Sequence, residues 1–403
     1  MSMTRGVVLA ACVAAVSAAC AAGAAGGAKP VTSASGIPDV TCPGVAPTAA
    51  TRTAQTALNR TLIPGMRAET AAPFYQQALT AVQPEMDNPY NAFIAGQAYA
   101  GLGQYARADS AFTRTTRACA AFGTEVGTER SRAYGMAFNA GVAALNAGDT
   151  ATAITRFTQA IAVNPGQSDA LFNLGLLYSN TGDLGHAVQY YRQALAAVGT
   201  AADTSAVETR SNVMMGLLAA GTTYFQKDQF AQSADVFRTI TAADGNNRDA
   251  WYNLGLALYK QNRWADLVPV AQRIVQIDPL NYNARIILFN AYKGLADASS
   301  ARVNPDRQRA LDALRAADGL PVQVEGVRVE NTGGTARVTG TIVGATTPAG
   351  RPVSLEFTLY GATGRLGSQT VTVTAPAKDA KANFQLSLPT NVPATSFSYR
   401  IAP

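Results

Sequence analysis

The sequence has few of the side chains on which most catalytic and metal sites depend. His186 is the only histidine among 403 residues, and the four cysteines, Cys12, Cys20, Cys42 and Cys119, form no CxxC motif. A conventional Ser/His/Asp or Cys/His catalytic group would have to use His186. Zinc and haem sites need Cys and His clusters that this sequence does not have. We therefore expect no enzymatic activity, no cofactor and no metal.

Charged residues are also scarce, at 14% of the chain, and they are scattered along it. The 32 Lys and Arg against 26 Asp and Glu give a net charge of +6. Because no basic patch is interleaved with aromatic residues, we expect no nucleic-acid partner. The 48% of hydrophobic residues is ample for packed cores, and the length indicates two or three domains.

The first twenty residues have the pattern of an export signal. Arg5 supplies a positive charge near the N-terminus, and residues 6–19 form a run of small and apolar side chains. This run is shorter than the roughly 20 apolar residues of a membrane-spanning helix, so we expect cleavage. Cys12 and Cys20 both resemble the lipid acceptor of a bacterial lipoprotein. We favour Cys20, because the hydrophobic segment before it has a credible length, and the alternative is a soluble secreted product. Residues 21–48 are predicted to be a flexible tether.

Cys42 and Cys119 would remain as a pair after export. In an oxidising compartment they could form a disulfide that pins the N-terminal extension to the first readable repeat. The alternative is two unpaired thiols, with Cys119 packed inside the repeat.

A period of 34 residues runs through the middle of the chain. Counted from Arg248, Trp251 stands at position 4, Gly255 at position 8, Trp264 at position 17 and Pro279 at position 32. The same register starts at residues 89, 134, 168 and 214, which defines five repeats: 89–122, 134–167, 168–201, 214–247 and 248–281. Small residues at positions 8 and 20 let two helices approach closely, and large residues at other positions fill the space between them. Degenerate units are expected to cap both ends, giving a helical solenoid over residues 49–318.

These repeats resemble the tetratricopeptide repeat, a family whose solenoids bind other proteins. The resemblance implies that first-helix positions 2, 5, 6, 9, 12 and 13 line a concave groove. Position 6 is asparagine in three repeats, which is similar to the asparagine ladder of peptide-binding superhelices. On this basis the candidate partner-binding residues are Asn139, Phe172, Asn173, Leu176, Tyr252, Asn253, Leu256, Tyr259 and Lys260. Two alternatives stay open: the asparagines could serve local packing, and the aromatic and apolar side chains could cover a neighbouring helix.

From residue 319 to residue 403 the period changes to the alternation of two that is typical of β-strands. Val353, Leu355, Phe357 and Leu359 share one face, and about six short strands separated by turns predict a β-sandwich with an immunoglobulin-like architecture. The segment Phe357 to Gly361 resembles FxLYD-type domains of bacterial envelope proteins, although Gly361 replaces the usual acidic residue. The predicted fold class is therefore mainly α, a helical solenoid followed by a small all-β domain.

The function we expect is a non-enzymatic protein-binding scaffold or assembly factor of the bacterial cell envelope. Its partner would be another envelope protein or a peptide segment, and its location the periplasm, with a membrane anchor if Cys20 carries lipid. The alternative function is an accessory that binds envelope polysaccharide or peptidoglycan through the β-sandwich.

Overall fold

The structure is a computed structural model that describes residues 36–201, 203–301, 303–361 and 364–402. The predicted signal segment, the lipidation candidate Cys20 and tether residues 21–35 lie outside the described residues. The chain divides into two compact units, Met1–Ala133 and Tyr134–Pro403.

The described residues contain fourteen α-helices followed by six β-strands. The helices are α1 (Ala49–Asn59), α2 (Ala68–Val82), α3 (Pro89–Gly101), α4 (Tyr105–Ala118), α5 (Gly123–Asn146), α6 (Thr150–Val163), α7 (Ser168–Asn180), α8 (Leu184–Val198), α9 (Thr204–Gln226), α10 (Phe230–Ala243), α11 (Arg248–Lys260), α12 (Trp264–Ile277), α13 (Tyr282–Ala298) and α14 (Pro305–Asp318). The strands are β1 (Val322–Thr332), β2 (Thr335–Gly344), β3 (Pro352–Gly361), β4 (Gly364–Thr374), β5 (Lys381–Pro389) and β6 (Ala394–Ile401). The predicted fold class is confirmed.

In the first unit, residues 36–48 differ from the predicted tether because they pack onto the helices. Ile37 and Cys42 are buried. The Tyr90 hydroxyl donates a hydrogen bond to the Val40 carbonyl, and the Cys42 and Cys119 sulfurs are joined in a disulfide. Composition predicted flexibility for this segment, but the cross-link and the hydrogen bond to α3 hold it in place.

Every repeat turns between its two helices at position 15, where the backbone is left-handed. This residue is Gly148 (φ +77°), Gly182 (φ +83°), Asp228 (φ +56°) and Asn262 (φ +54°) in the four repeats of the second unit. Glycine adopts such a φ without steric cost, and Asp and Asn tolerate it better than other residues do. The turns at Asp228 and Asn262 therefore keep the backbone geometry of the two glycine turns.

Glycine at position 8 allows an aromatic side chain of the second helix to lie against the backbone of the first. In the second unit, Gly141 faces Phe157, Gly175 faces Tyr191 and Gly221 faces Phe237. All three aromatic side chains are fully buried. A methyl group at Gly175 would stand only 2.5 Å from Tyr191 Cδ1. Helix spacing in each repeat thus depends on the absence of a side chain at this position.

We expect the substitution Gly175→Ala to lower the free energy of unfolding by about 1–3 kcal/mol, because Tyr191 has no space into which to move. The control is Gly135→Ala, another helical glycine, whose added methyl group would meet nothing within 4 Å. That change should be neutral or stabilising by up to about 1 kcal/mol, since alanine favours the helix. Urea unfolding followed by circular dichroism compares the two. Equal effects of both substitutions would contradict the packing argument.

Two first helices are longer than the others and account for the gaps in the repeat spacing. Residues 123–133 form the start of α5, which has 24 residues. Residues 204–211 form the start of α9, which has 23 residues and is capped by the Asp203 side chain. Within the described residues, no helix combines the length and the apolarity needed to cross a bilayer.

The C-terminal domain consists of two three-stranded antiparallel sheets, with strand orders β1-β2-β5 and β4-β3-β6. Its core comes from alternate residues on both sheets, including Val324, Val338, Leu355 and Phe357. The six strands agree with the number predicted from the sequence. Leu280, from the link between α12 and α13, belongs to the same core. The domain therefore folds onto the last helical repeat.

Candidate protein-binding face

Four large apolar side chains of the three repeats over residues 168–281 are exposed to solvent, and all four lie on first helices. They are Leu176 on α7, Met215 on α9, and Leu256 and Tyr259 on α11, between 36% and 58% exposed. The second helices α8, α10 and α12 expose no large apolar side chain. In the repeat register the four residues occupy positions 9, 2, 9 and 12. We call this set the first-helix face.

The structure places several of the predicted site residues on or beside the first-helix face. Leu176, Leu256, Tyr259 and Lys260 are exposed. The Tyr259 ring meets Trp264 edge to face, with 5.3 Å between ring centroids. This contact orients the tyrosine while leaving part of its surface available to a partner.

The three position-6 asparagines have different surroundings. Asn139 is exposed and Asn253 is half-buried, and neither side chain has a hydrogen-bond partner among the described residues. The Asn173 amide donates to the Asp169 carbonyl within α7, at 2.9 Å. Asn139 and Asn253 keep both donors and acceptor for a ligand, whereas Asn173 has one donor already used.

Phe172 and Tyr252, at position 5 of their repeats, are both half-buried. The Phe172 ring lies 6.1 Å from that of Tyr191 and packs against the repeat core. The Tyr252 hydroxyl donates to Asp278 Oδ2 at 2.9 Å. Both side chains therefore contribute to packing, and their part in partner binding stays a prediction.

Asp278 is the centre of a buried polar cluster that sequence reasoning missed. Its side chain is fully buried, and Arg248 approaches Oδ2 with Nη2 at 2.7 Å and Nε at 2.8 Å. The Tyr399 hydroxyl from β6 donates to Oδ1. The carboxylate thus accepts hydrogen bonds from two helical residues and from one residue of the β-domain. Buried charges persist in proteins when they are paired and hydrogen-bonded in this way.

The ionisation states of the cluster follow from these contacts. Burial opposes the charge on Arg248, but the Asp278 carboxylate raises the pKa of Arg248 above its usual value. Burial, reinforced by the same carboxylate, raises the pKa of Tyr399 and of Tyr252 well above the ordinary value for tyrosine. Both phenols therefore remain hydrogen-bond donors throughout the physiological pH range.

Further contacts join the β-domain to the last repeat. Val324 N donates to the Leu280 carbonyl at 2.9 Å, and Asn281 Nδ2 donates to the Val324 carbonyl at 3.2 Å. Beside these contacts, a cavity of about 430 Å³ lies between α9, the link from α10 to α11, and the β-domain. Met215 and Leu218 of α9 line it together with Tyr360 and Thr395. Met215, a residue of the first-helix face, therefore lies beside the β-domain.

Two segments, residues 138–202 and 218–282, match the family model of the tetratricopeptide repeat. The chain contains tetratricopeptide repeats. The matched segments cover most of the repeats predicted at 134–167, 168–201, 214–247 and 248–281, so the resemblance of these units is confirmed. The predicted repeat at 89–122 lies outside the matched segments, and its residues form α3 and α4.

Solved structures of MamA are similar to this chain. One MamA structure shares 19% identity, covers 44% of this chain and 91% of its own, and has a TM-score of 0.27. A second shares 18% identity over 46% of this chain and 89% of its own, with a TM-score of 0.29. MamA from Desulfovibrio magneticus RS-1 shares 18% identity, covers 45% of this chain and 96% of its own, and has a TM-score of 0.25. No curated protein matches the chain.

The first-helix positions that line the groove in tetratricopeptide repeats carry little charge here. At positions 2, 5, 6, 9, 12 and 13 of the four repeats in the second unit, the charged residues are Asp169, Asp249 and Lys260. Burial raises the pKa of Asp169 above its usual value. The remaining positions carry apolar, aromatic, amide or hydroxyl side chains.

The structure assembles no metal site among the residues that it describes, since no three His, Cys, Asp or Glu side chains come together. His186 is exposed, with Nδ1 2.7 Å from Asp183 Oδ2. Asp183 also caps α8 by accepting from His186 N at 3.1 Å. His186 thus takes part in a helix cap, and the absence of catalysis stays a prediction.

Proposed function

We propose that this protein is a non-enzymatic scaffold that binds a segment of another protein along the first-helix face of its tetratricopeptide repeats. The observation that carries the proposal is the exposure of Leu176, Met215, Leu256 and Tyr259 on one series of helices. Apolar and aromatic side chains supply most of the binding energy at protein interfaces. Tetratricopeptide repeats generally bind proteins, and this surface is where the chain offers such side chains.

The partner segment that fits this surface is uncharged and carries apolar anchor residues. The Leu256 and Tyr259 side chains offer apolar contact, and the free amides of Asn139 and Asn253 can pair with a peptide backbone. Because few charges line the face, binding should depend only weakly on ionic strength.

We further propose that the scaffold works in the bacterial envelope after export, with lipid attached at Cys20. The pattern of residues 1–20 and the disulfide between Cys42 and Cys119 support this location, since such bonds persist in oxidising compartments. The likeness of the β-domain to FxLYD-type envelope domains agrees with the same location and stays a prediction.

A photo-crosslinking experiment tests the binding face directly. A photoreactive amino acid replaces Leu256 in one variant and Leu311 in the other. Leu311 is an equally exposed leucine on α14, outside the first-helix face. After irradiation in the native envelope, we expect position 256 to capture a specific protein that position 311 does not capture. Mass spectrometry of the linked peptide then identifies the bound segment.

The matching affinity experiment uses the partner segment so identified. The triple variant Leu176→Ser, Leu256→Ser, Tyr259→Ser should weaken binding by at least about tenfold, because each substitution removes an apolar anchor. The single variant Leu311→Ser should bind like the parent chain. If the triple variant binds as tightly as the parent, the first-helix face is not the binding site.

A further inference from the structure

The first unit carries a second exposed apolar feature, at the turn between α1 and α2. Leu62 and Ile63 are 75% and 59% exposed, and Pro64 beside them is exposed as well. A methyl group added at Gly65 would meet no atom within 4 Å, so the turn stands clear of the rest of the protein. We call residues 62–65 the apolar tip.

The apolar tip is held in this exposed arrangement by its own backbone. Met66 N donates to the Ile63 carbonyl at 3.2 Å, which closes a four-residue turn around Pro64 and Gly65. Gly65 has φ +81°, and Pro followed by such a Gly is the usual sequence of a type II turn. The Thr61 hydroxyl donates to the Leu58 carbonyl at 2.7 Å. These contacts define the backbone of the turn in an arrangement that leaves Leu62 and Ile63 exposed.

Basic side chains stand on both sides of the apolar tip. Arg60 and Arg67 are exposed, and the Arg60 guanidinium lies 5.7 Å from the centre of the Phe74 ring. Glu69 is the only acidic residue between positions 60 and 70, and it lies in the first turn of α2, where it favours the helix. Exposed aliphatic residues with arginines beside them are complementary to the surface of a bilayer. The aliphatic side chains can contact acyl chains, and the arginines are attracted to anionic headgroups.

We propose that the apolar tip inserts into the surface of a bilayer that contains anionic lipid. Leu62 and Ile63 enter the region between headgroups and acyl chains, while Arg60 and Arg67 pair with lipid phosphates. This contact is separate from the first-helix face and does not depend on its function. It would add to a lipid anchor, because stable attachment to membranes generally requires two weak signals together.

Tryptophan placed at the tip reports insertion locally. Leu62→Trp is compared with Val303→Trp, a highly exposed position outside the apolar tip. Both are made in the full chain with Cys20→Ser, which removes the candidate acceptor of lipid. The probe is a vesicle of phosphatidylcholine with one quarter phosphatidylglycerol, with and without brominated acyl chains. After subtraction of the signal from Trp251 and Trp264, we expect a blue shift and strong bromine quenching at position 62 and neither at position 303.

Sedimentation with the same vesicles measures the contribution of the tip to binding. The variant Leu62→Ser, Ile63→Ser should lower the vesicle partition coefficient by at least about tenfold, and Val303→Ser should leave it unchanged. Replacing phosphatidylglycerol by phosphatidylcholine should weaken binding of the parent chain as well. Unchanged emission from Leu62→Trp in the presence of vesicles would overturn the proposal, and a protein partner would then be the occupant to seek.

Discussion

The substitution Asp278→Ala is expected to lower the free energy of unfolding by about 3–5 kcal/mol, which is the usual cost of removing one partner from a buried ion pair. It removes the buried counter-charge of the Arg248 guanidinium, which keeps only the exposed Asp249 carboxylate at 3.3 Å, and it leaves the Tyr252 and Tyr399 hydroxyls without their acceptor. Arginine cannot escape this penalty by losing its proton. Because Tyr399 belongs to β6, we expect the substitution to weaken the attachment of the β-domain to the last repeat.

Urea unfolding and limited proteolysis would measure these effects. We expect faster cleavage around residues 319–321, which join α14 to β1, in the Asp278→Ala variant. The control is Asp249→Ala, which removes the exposed carboxylate that also pairs with Arg248, and this change should alter stability by no more than about 1 kcal/mol, as is usual for an exposed ion pair. The substitution Asp278→Asn retains one oxygen acceptor, so it should lower the free energy of unfolding by less than Asp278→Ala does. Similar losses from Asp249→Ala and Asp278→Ala would show that the buried cluster is not the attachment point.

A double-mutant cycle isolates the ion pair from the rest of the cluster. In the Arg248→Ala background, the further change Asp278→Ala should cost clearly less than it does in the parent chain, because no unpaired guanidinium is left behind. Additive costs would mean that the two side chains do not stabilise each other.

Breaking the disulfide should have the second large effect. Cys42 and Cys119 are 77 residues apart in the sequence, so the bond closes a long loop that contains α1 to α4. Closing such a loop restricts the unfolded chain, and we expect the double variant Cys42→Ser, Cys119→Ser to lose about 2–4 kcal/mol. Unfolding of the first unit in urea, with and without reductant, gives the measurement.

Thiol counting checks the bond itself. In the exported protein, Cys42 and Cys119 should resist alkylation until reductant is added, and tryptic mass spectrometry should find their peptides linked. A chain whose two thiols react freely before reduction would contradict the pairing and remove one support for an oxidising location.

Most of the fold could be predicted from local sequence patterns. The spacing of Gly175 and Tyr191 predicted close helix packing within one repeat, because these contacts depend on residues less than one period apart. The alternation from Val353 to Leu359 likewise predicted β3. The turn at position 15 is likewise a local feature, since Asp228 and Asn262 adopt the left-handed backbone that glycine adopts in other repeats.

The attachment of the β-domain could not be predicted from such patterns. Asp278 and Tyr399 are 121 residues apart, and nothing in the period of either segment indicates that the two side chains meet. Tyr252 stands at a groove position of its repeat, and the repeat register does not indicate that its hydroxyl donates a hydrogen bond to Asp278. The segment around Cys42 resembled a tether in composition, and its cysteine was the one sign that it is fixed.

The contact of Tyr399 with Asp278 places a domain of different architecture against the repeat over residues 248–281. Met215, which belongs to the first-helix face, lines a cavity beside the same domain. If a partner segment lies along the first helices, as we propose, the β-domain would limit how far that segment can extend past Met215. The same domain would then restrict both the length and the alignment of the bound segment.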